Sequence, residues 1–313
     1  MHSLKNANPT SPNTQDSPKS VPSRWRVWIM ASRLPTLPAA ISPVLVGSAA
    51  AIASGKFHAG AFGAALIAAL LIQIGTNLAN DLFDFQKGAD TQDRLGPVRV
   101  TQAGLIPPRQ VAQGMWVCFG LAFLLTLYLI YLGGWPILVI FIGSVAAGIL
   151  YTGGPWPLGY NGLGDVFAFV FFGVVAVTGT YYLHTGTFDP FSLLLSLPIG
   201  LLVTNILVIN NLRDIETDRA AGKRTLAVRF GAPAARVQYT VSLLLAYLVP
   251  FLLWLAGWIG PFFWLIVLSL PWAVQLMRRV LAGAAGKSLN PVLKASGQLE
   301  LLFAVLLSIG LML

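Results

Sequence analysis

The acidic side chains of this chain gather in two short segments. The first, residues 77–99, reads NLANDLFDFQKGADTQDRLGPVR and follows directly after a long apolar run. The second, residues 210–224, reads NNLRDIETDRAAGKR. Carboxylates next to a membrane span are energetically unfavourable unless they have partners, and a cluster of them therefore indicates a function. We expect the two segments to face each other across a binding site.

Helical spacing places the polar side chains of each segment on one face. At about 100° per residue, two sets of residues each share a face: Asn77, Asn80, Asp81 and Asp84 in the first segment, and Asn210, Asn211, Asp214 and Asp218 in the second. Carboxylates stacked in this way repel one another unless a cation neutralises them. Hard oxygen ligands of this kind suit Mg²⁺, which binds a few carboxylates together with substrate phosphates.

Basic residues follow each acidic cluster. They are Arg94 and Arg99 in the first segment and Lys223 and Arg224 in the second. Carboxylates for a metal beside cations for anionic oxygens predict a metal and diphosphate site. For Asp90, Asp93 and Glu216 taken singly, a solvated loop acid is an equally good interpretation. That alternative is weaker for the helical faces, because seven of the 11 acids lie in these two segments.

The composition predicts a membrane protein. Charged residues make up 10% of the chain and hydrophobic residues 56%, whereas a soluble protein carries about 25% charged residues. The mean hydropathy is +0.73. The single cysteine, Cys118, excludes an internal disulfide and a zinc site built from cysteines. We predict an all-α fold, a polytopic bundle of membrane helices in one domain.

Nine apolar runs set the predicted number of spans. Each has roughly the length that crosses about 30 Å of hydrocarbon as a helix, and helices satisfy their own backbone groups in lipid. The runs are 33–53, 59–82, 111–132, 135–151, 163–183, 190–212, 237–258, 261–276 and 299–313. We predict about nine transmembrane helices in a domain of residues 25–313. Residues 1–24, rich in Ser, Pro and Asn, are predicted to be a disordered tail.

The positions of the basic residues predict the orientation. With the N-terminus in the cytoplasm, every Lys and Arg of the chain except Lys56 falls on the cytoplasmic side. Both acidic segments then lie on that side as well. The same distribution accounts for the net charge of +9 without nucleic acid as a partner. We therefore expect a multi-pass protein of the cell inner (plasma) membrane, in contact with membrane lipid, whose site faces the cytoplasm.

Five stretches of the chain together resemble the UbiA superfamily of intramembrane prenyltransferases. They occur in the family's order and span the chain from about Trp25 to the C-terminus. Within the superfamily the chain is most similar to the 1,4-dihydroxy-2-naphthoate polyprenyltransferases of menaquinone synthesis. The stretches are SRLPTLPAAISPVLVG at 32–47, NLANDLFDFQKGADTQDRLGPVRVTQAGLI at 77–106, YTGGPWPLGYNGLGD at 151–165, GTYYLHTG at 179–186 and NNLRDIETDRAAGKRTLAVRFG at 210–231.

The superfamily's first motif, NxxxDxxxD, matches this chain with one departure. It falls on Asn80 and Asp84, but its final aspartate position is occupied by Gly88. This departure resembles the menaquinone branch. It leaves open which of three nearby acids, Asp81, Asp90 or Asp93, supplies the missing ligand.

Other family motifs match without such a gap. The second motif, DxxxD, falls on Asp214 and Asp218, the basic residue of the first helix on Arg33, and the tyrosine of the fourth-helix loop on Tyr151. The Lys-Arg pair that follows this tyrosine in other branches is missing from this sequence. Its lack favours an aromatic acceptor other than 4-hydroxybenzoate.

The resemblance implies a reaction and a set of site residues. The reaction transfers a polyprenyl group from polyprenyl diphosphate to 1,4-dihydroxy-2-naphthoate, with loss of CO₂ and diphosphate, and gives demethylmenaquinol. The implied cofactor is Mg²⁺. The implied catalytic residues are Asp84, Asp214, Asp218, Arg33 and Tyr151. The implied diphosphate-binding residues are Asn80, Arg94, Arg99, Asn211, Lys223 and Arg224. The candidate metal ligands are Asp81, Asp84, Asp90, Asp93, Asp214 and Asp218.

Two other functions remain open from the sequence. One is another enzyme of the same superfamily, which prenylates 4-hydroxybenzoate or homogentisate or transfers a phytyl group. The other is a divalent-cation transporter, although such sites usually lie near the bilayer midplane on broken helices. Outside the two segments, Glu300 is expected to pair with Lys294 or a neighbouring helix, and His184 is expected to lie on the outer surface.

Overall fold

The computed structural model describes residues 23–89 and 95–313. The predicted tail, residues 1–24, lies almost entirely outside this range. So do three of the predicted site residues, Asp90, Asp93 and Arg94. The placements of these residues therefore remain predictions.

The described chain is all-α, as predicted, and no strand occurs in it. Short 3-10 turns and one π-helical segment, Phe169–Val175, connect or continue the helices. The α-helices are α1 (Arg24–Ser32), α2 (Pro38–Ala53), α3 (Ala59–Gln86), α4 (Pro108–Gly133), α5 (Trp135–Leu150), α6 (Gly164–Ala168), α7 (Ala176–Thr185), α8 (Pro190–Arg213), α9 (Ile215–Ala220), α10 (Leu226–Leu255), α11 (Leu270–Leu281) and α12 (Asn290–Met312).

Seven helices within the described ranges are long and apolar enough to cross a membrane. Helices α1 and α2 form a pair bent by 52°, which gives an eighth span if the pair crosses together. Helix α5 is apolar but has only 16 residues. The multi-pass membrane architecture is thus confirmed. The count of nine, which needs both α5 and the bent pair, stays a prediction, as does the orientation of the N-terminus.

Several helices extend beyond the apolar runs that predicted them. Helix α3 continues to Gln86 and carries Asp84 on its last turn. Helix α10 begins at Leu226 rather than 237, because the Thr225 hydroxyl accepts the Val228 N–H at 3.2 Å and caps its first turn. The extension of α3 continues the helix without a break, whereas that of α10 is kinked at Gly231, whose φ of +82° and ψ of 171° are not helical. They bring the acidic segments onto defined helix ends.

Small residues allow the central helices to approach closely. A Cβ atom at Gly47 of α2 would lie 2.6 Å from the carbonyl oxygen of Val177 in α7. A Cβ at Gly173 would lie 2.6 Å from the Cα of Gly200, so the π-helical segment packs directly on α8. Contacts of this kind are typical of membrane helices, which associate through close packing of small residues. They hold α2 against α7 and the π-helical segment against α8.

Two polar residues outside the acidic segments pack against neighbouring helices. Glu300 is fully buried in α12, where it faces Ser42 of α2, whereas Lys294 is exposed. Of the two alternatives expected for Glu300, the structure therefore favours the neighbouring helix over Lys294. His184 does not lie free on the surface. Its Nε2 is 3.0 Å from the Ser48 hydroxyl, so the ring joins α7 to α2.

Candidate active site

A cavity of about 350 Å³ opens between the helices at the two acidic segments. Charged and amide side chains line one part of it, including Asn80, Asp84 and Lys223. Apolar side chains line the rest, including the aromatic rings of Phe167, Phe171 and Phe172. The cavity therefore joins a highly polar region to a hydrophobic one. Such a shape suits a ligand with an anionic head and an apolar chain.

Most of the predicted site residues lie together in this cavity. Nine of them line it: Arg33, Asn80, Asp84, Arg99, Tyr151, Asn211, Asp214, Asp218 and Lys223. Asp81 and Arg224 are described but do not line it. The prediction that the two acidic segments face each other is therefore confirmed by their shared cavity.

Asp84 has partners from three parts of the chain. Its Oδ2 accepts a hydrogen bond of 2.7 Å from Nη2 of Arg99. Its Oδ1 accepts a bond of 2.7 Å from the hydroxyl of Tyr160 and lies 3.8 Å from Nζ of Lys223. The residue is only 1% exposed. Charge-assisted bonds of this kind are strong and hold the carboxylate in one orientation.

Lys223 lies between the two acidic segments. Its Nζ is 3.8 Å from Oδ1 of Asp84 and 3.5 Å from Oδ1 of Asp218. Burial raises the pKa of Asp218 to about 6, and the nearby ammonium of Lys223 opposes that rise. The lysine therefore acts as a shared counter-cation for one carboxylate from each segment.

The first acidic helix ends in a Schellman motif with Gly88 at its turn. Gly88 has φ of +65°, a left-handed conformation that favours glycine. Its N–H donates to the carbonyl of Phe85 at 3.0 Å, and the N–H of Ala89 donates to the carbonyl of Asp84 at 2.9 Å. The position where the superfamily motif has its last aspartate is thus used here to turn the backbone.

The second acidic segment ends in the same way at Gly222. Gly222 has φ of +73°, its N–H donates to the carbonyl of Arg219 at 3.1 Å, and the N–H of Lys223 donates to that of Asp218 at 2.8 Å. Asp218 therefore has the same position relative to its glycine as Asp84 has to Gly88. Both carboxylates lie on the last turn of a helix closed by glycine.

Asp214 does not lie within a continuous helix, as the spacing argument had assumed. It occupies the junction where α8 ends at Arg213 and α9 begins at Ile215. The Arg213 guanidinium binds both of its oxygens, with Nε 2.8 Å from Oδ1 and Nη2 2.6 Å from Oδ2. The sequence argument did not identify Arg213. Its adjacency to an acid was visible, but neighbouring residues on a helix do not ordinarily face each other.

Asp81 makes contacts outside the cavity. Its oxygens accept the backbone N–H groups of Val100 and Thr101 at 3.1 and 3.2 Å. The residue is 2% exposed. These bonds fasten the connection between α3 and α4 onto the side of α3. The assignment of Asp81 as a metal ligand stays a prediction, and the contact that the structure shows is with this loop.

Tyr160 is a site residue that the motif comparison did not single out. Besides its bond to Asp84, its ring lies between two ammonium groups, with Lys87 Nζ 5.2 Å and Lys223 Nζ 4.8 Å from the ring centre. Its carbonyl accepts the backbone N–H of Arg224 at 2.7 Å. The side chain of Arg224 is exposed. The only available signal was the position of Tyr160 inside the stretch at 151–165.

Asn211 is held by an acid that the sequence argument also left out. Its Nδ2 donates to Oδ1 of Asp165 at 3.1 Å, and Oδ2 of Asp165 accepts from Nε2 of Gln238 at 2.9 Å. Asn80 has a comparable partner, because its Oδ1 accepts from the Thr152 hydroxyl at 2.9 Å. These bonds orient the two amides in the cavity wall.

Comparison with known proteins decides the family. The model of the UbiA prenyltransferase family matches residues 40–306, most of the chain. The chain belongs to this family. The match begins in α2 and ends in α12, so it includes both acidic segments and the cavity between them. Membership favours prenyl transfer over the cation-transporter alternative.

Relatives of this UbiA-family chain cover nearly its whole length. The 1,4-dihydroxy-2-naphthoate octaprenyltransferase of Haemophilus influenzae is 36% identical over 304 residues, which cover 95% of this chain and 99% of the relative. The protein with the same name from Escherichia coli K12 is 37% identical, covering 93% and 96%. The one from Mycobacterium tuberculosis is 38% identical, covering 89% and 94%.

Solved structures of UbiA homologues share the fold. A homologue from Archaeoglobus fulgidus bound to GPP and Mg²⁺ superposes with a TM-score of 0.68 at 15% identity, covering 91% of this chain and 99% of that chain. A homologue from Aeropyrum pernix in the apo form gives 0.67 at 16% identity, covering 87% and 96%. At such low identity the likeness concerns the fold alone.

Arg33 and Tyr151, matched to family motifs, both line the cavity. Arg33 follows α1 with φ of +52°, and within the described ranges it is the one residue other than glycine with a positive φ. Tyr151 is enclosed by glycines, since a Cβ at Gly159 would lie 2.9 Å from its ring and one at Gly164 would lie 2.9 Å from its hydroxyl. Arg33 therefore depends on an unusual backbone conformation, and Tyr151 on the space that the two glycines leave for its ring.

A second polar group in the cavity centres on Thr36. Its hydroxyl donates to the carbonyl of Arg33 at 2.9 Å and accepts from Nε2 of Gln73 at 3.2 Å and Nδ2 of Asn77 at 2.9 Å. All four residues line the cavity. Asn77, which the spacing argument placed with the acids, is therefore part of this separate hydrogen-bonded group.

The donor set fits a Mg²⁺ ion shared with substrate phosphates. Within the described residues no three acids converge on one point as a preformed cage would require. Mg²⁺ commonly uses only one or two carboxylates and takes its other ligands from phosphates and water. Asp84 and Asp218, which approach the same lysine from two segments, supply such a pair.

Proposed function

We propose that this protein transfers a polyprenyl group from polyprenyl diphosphate to 1,4-dihydroxy-2-naphthoate, with release of diphosphate and CO₂, and so makes demethylmenaquinol in menaquinone synthesis. The observation that carries the proposal is the cavity, which joins paired acids and bases to an aromatic and aliphatic wall. The relatives named as octaprenyltransferases of this acceptor, at 36 to 38% identity, support the choice of substrates.

The metal requirement follows from the charges in the cavity. Asp84 and Asp218 would hold Mg²⁺, and Asp214, which lines the same cavity, would be a further ligand. When bound, the metal would neutralise the diphosphate as a leaving group. The Archaeoglobus homologue, described as bound to GPP and Mg²⁺, supports this assignment. The roles of Asp90 and Asp93 remain proposals from the sequence.

The cations and amides around the acids would bind the diphosphate. Lys223 and Arg99 line the cavity and carry the charge that stabilises negative oxygens as the bond breaks. Asn80 and Asn211 add amide groups held by Thr152 and Asp165. Arg224, whose exposed side chain does not line the cavity, and Arg94 are proposed from the sequence for the same role.

The prenyl transfer itself needs positioning and exclusion of water. The allylic C–O bond breaks, its electron pair leaves with diphosphate, and the electron-rich naphthoate ring attacks the allylic carbon. The ring carboxylate then leaves as CO₂ and returns its electron pair to the ring. Apolar walls that include Phe167, Phe171 and Val203 would keep water from the allylic carbocation that forms when the C–O bond breaks. Arg33 and Tyr151 would orient the acceptor.

The distribution of basic residues supports an orientation. All Lys and Arg except Lys56 fall on the side of the two acidic segments if the apolar runs each cross once. We therefore place the site on the cytoplasmic side of the cell inner membrane, where a diphosphate substrate is available. Lipid would surround the bundle and receive the product.

The test is an assay of purified protein with Mg²⁺, a polyprenyl diphosphate and 1,4-dihydroxy-2-naphthoate. We expect release of diphosphate and formation of a lipophilic naphthoquinol. Asp84→Asn and Asp214→Asn should abolish both while the protein stays folded. Glu216→Gln is the matched control, because Glu216 is exposed and pairs only with the exposed Arg219 among the described residues.

Three outcomes would contradict the proposal. The first is full activity of Asp84→Asn, and the second is activity that is indifferent to chelation of Mg²⁺. The third concerns the acceptor. If 4-hydroxybenzoate replaces dihydroxynaphthoate with equal kcat/KM, the protein belongs with a different branch of the family.

A further inference from the structure

Arg213 is a buried arginine at the end of α8 that belongs to neither family motif. It is 3% exposed although it carries a full charge. We propose that Arg213 is the positioning residue of this site, which fixes Asp214 for the metal and ties the two acidic segments together. The inference rests on the proposed function, because it concerns the Mg²⁺ and diphosphate of that reaction.

The pairing with Asp214 uses the fork of the guanidinium. Nε and Nη2 bind one carboxylate oxygen each, at 2.8 and 2.6 Å. The side chain of Arg213 is 1% exposed and that of Asp214 is 12% exposed. Two parallel bonds fix the plane of the carboxylate as well as its position. Each oxygen retains lone pairs that can face the cavity, which Asp214 lines.

The rest of the guanidinium connects two other elements. Nη2 also donates to Oδ1 of Asn210 at 2.7 Å, and Nη1 donates to Oδ1 of Asn290 at 2.9 Å. Asn290 opens α12, and its Nδ2 donates in turn to the carbonyl of Leu95 at 2.9 Å. Arg213 therefore joins the end of α8, the start of α12 and the chain after the first acidic helix. Lysine, with one compact ammonium group, does not match this geometry.

The close approach of Gly96 extends this connection. A Cβ at Gly96 would lie 2.7 Å from Nη2 of Arg213, so the backbone of the segment at 95–99 passes directly over the guanidinium. Three residues later Arg99 binds Asp84 at 2.7 Å. The carboxylates of the two segments are thus linked through protein: Asp214 to Arg213, Arg213 to the segment at 95–99, and that segment to Asp84.

This arrangement predicts what Arg213 contributes. Groups that orient a metal ligand typically change metal affinity by about 10- to 100-fold when they are replaced. Arg213→Lys keeps the positive charge but loses the two parallel hydrogen bonds to the Asp214 carboxylate. We therefore expect it to weaken metal binding about tenfold or more, and to raise the KM for the diphosphate substrate more than it lowers kcat.

The experiment measures metal binding separately from turnover. Mn²⁺ binding to the purified full chain is followed by electron paramagnetic resonance with inorganic diphosphate present, for wild type and Arg213→Lys. Arg219→Lys is the matched control, since Arg219 is 54% exposed and contacts only the exposed Glu216 among described residues. Wild-type affinity is expected in that control.

A second variant guards against a folding failure of Arg213→Lys. Gly96→Ala leaves the arginine in place but puts a methyl group against its Nη2. Like Arg213→Lys, it should weaken Mn²⁺ binding. Gly120→Ala, with open space around it, should not. Wild-type Mn²⁺ affinity in both folded Arg213→Lys and Gly96→Ala would overturn the proposal, as would wild-type protein that binds no Mn²⁺. Failure of dihydroxynaphthoate as acceptor would instead contradict the proposed function alone.

Discussion

The hydroxyl of Tyr160 donates a hydrogen bond of 2.7 Å to Oδ1 of Asp84. This bond crosses from the loop after α5 to the last turn of α3. The neutral hydroxyl thus donates to the same carboxylate oxygen that lies near Lys223, the lysine between Asp84 and Asp218. The loop that carries Tyr160 thus contacts Asp84 and takes part in the orientation of its carboxylate.

Replacement of Tyr160 by phenylalanine tests that contact. Tyr160→Phe keeps the ring between Lys87 and Lys223 but removes the donor to Asp84. A hydrogen bond to a charged group contributes about 1.5–3 kcal/mol, so we expect kcat/KM for the polyprenyl diphosphate to fall about tenfold or more. Tyr131→Phe, at a tyrosine that is 85% exposed, is the control. Equal kcat/KM in wild type and Tyr160→Phe would show that the bond has no role in turnover.

Replacement of Asp81 should lower the stability of the protein but leave its affinity for the metal unchanged. Asp81→Asn removes the charge that holds the backbone N–H groups of Val100 and Thr101. We expect a loss of about 1–3 kcal/mol in the free energy of unfolding, measured as a lower thermal midpoint in detergent. Mn²⁺ affinity should stay at the wild-type value. A large loss of affinity without a loss of stability would instead make Asp81 a ligand.

The two glycine-terminated helices should respond alike to substitution. Gly88→Ala and Gly222→Ala force a side chain into a left-handed backbone conformation, which costs about 1–2 kcal/mol. Each should lower the thermal midpoint by a similar amount, since a Cβ at either glycine has nothing within 4 Å. Gly120→Ala, inside α4, should not lower it. Gly88→Asp should show the same loss of stability and no gain in Mn²⁺ affinity.

The Mg²⁺ requirement should depend on pH through Asp218. Burial raises the pKa of this carboxyl to about 6, so it becomes protonated as the pH falls through that value. A protonated carboxyl does not bind the metal, and protons therefore compete with Mg²⁺. The Mg²⁺ concentration for half-maximal activity should rise when the pH is lowered from above 6 to below it. A constant requirement across that range would contradict this assignment.

The sequence predicted the membrane bundle and most of the site because local patterns carry both. Apolar runs define spans whatever their partners are. The i, i+3 and i+4 spacing placed Asp84 and Asn80 on one helix face, and both line the cavity. The same spacing and the DxxxD motif supplied Asp218, and the basic residues that follow the second acidic cluster supplied Lys223.

What the sequence left out depends on contacts between distant segments. Asp81 and Asp84 are three residues apart, yet one binds the loop at 100–101 and the other faces the cavity. Helical spacing cannot separate these roles, because it predicts the direction in which a side chain points but not which residue lies in that direction. Arg213 was missed for a similar reason. Its partner Asn290 is 77 positions away in the chain, and no local pattern indicates that bond.

The position of Lys223 between Asp84 and Asp218 bears on the resting enzyme. Asp84 also pairs with Arg99, whereas Lys223 is the one ion-pair partner of Asp218 among the described residues, so without the lysine the Asp218 carboxylate would lack a counter-charge. The lysine keeps a resident counter-ion there between catalytic cycles. Binding of a metal with its diphosphate would then be an exchange, in which Lys223 would release the carboxylates and bind the phosphate oxygens. The local charge would stay nearly constant through that exchange, which would lower the electrostatic barrier to substrate entry and release.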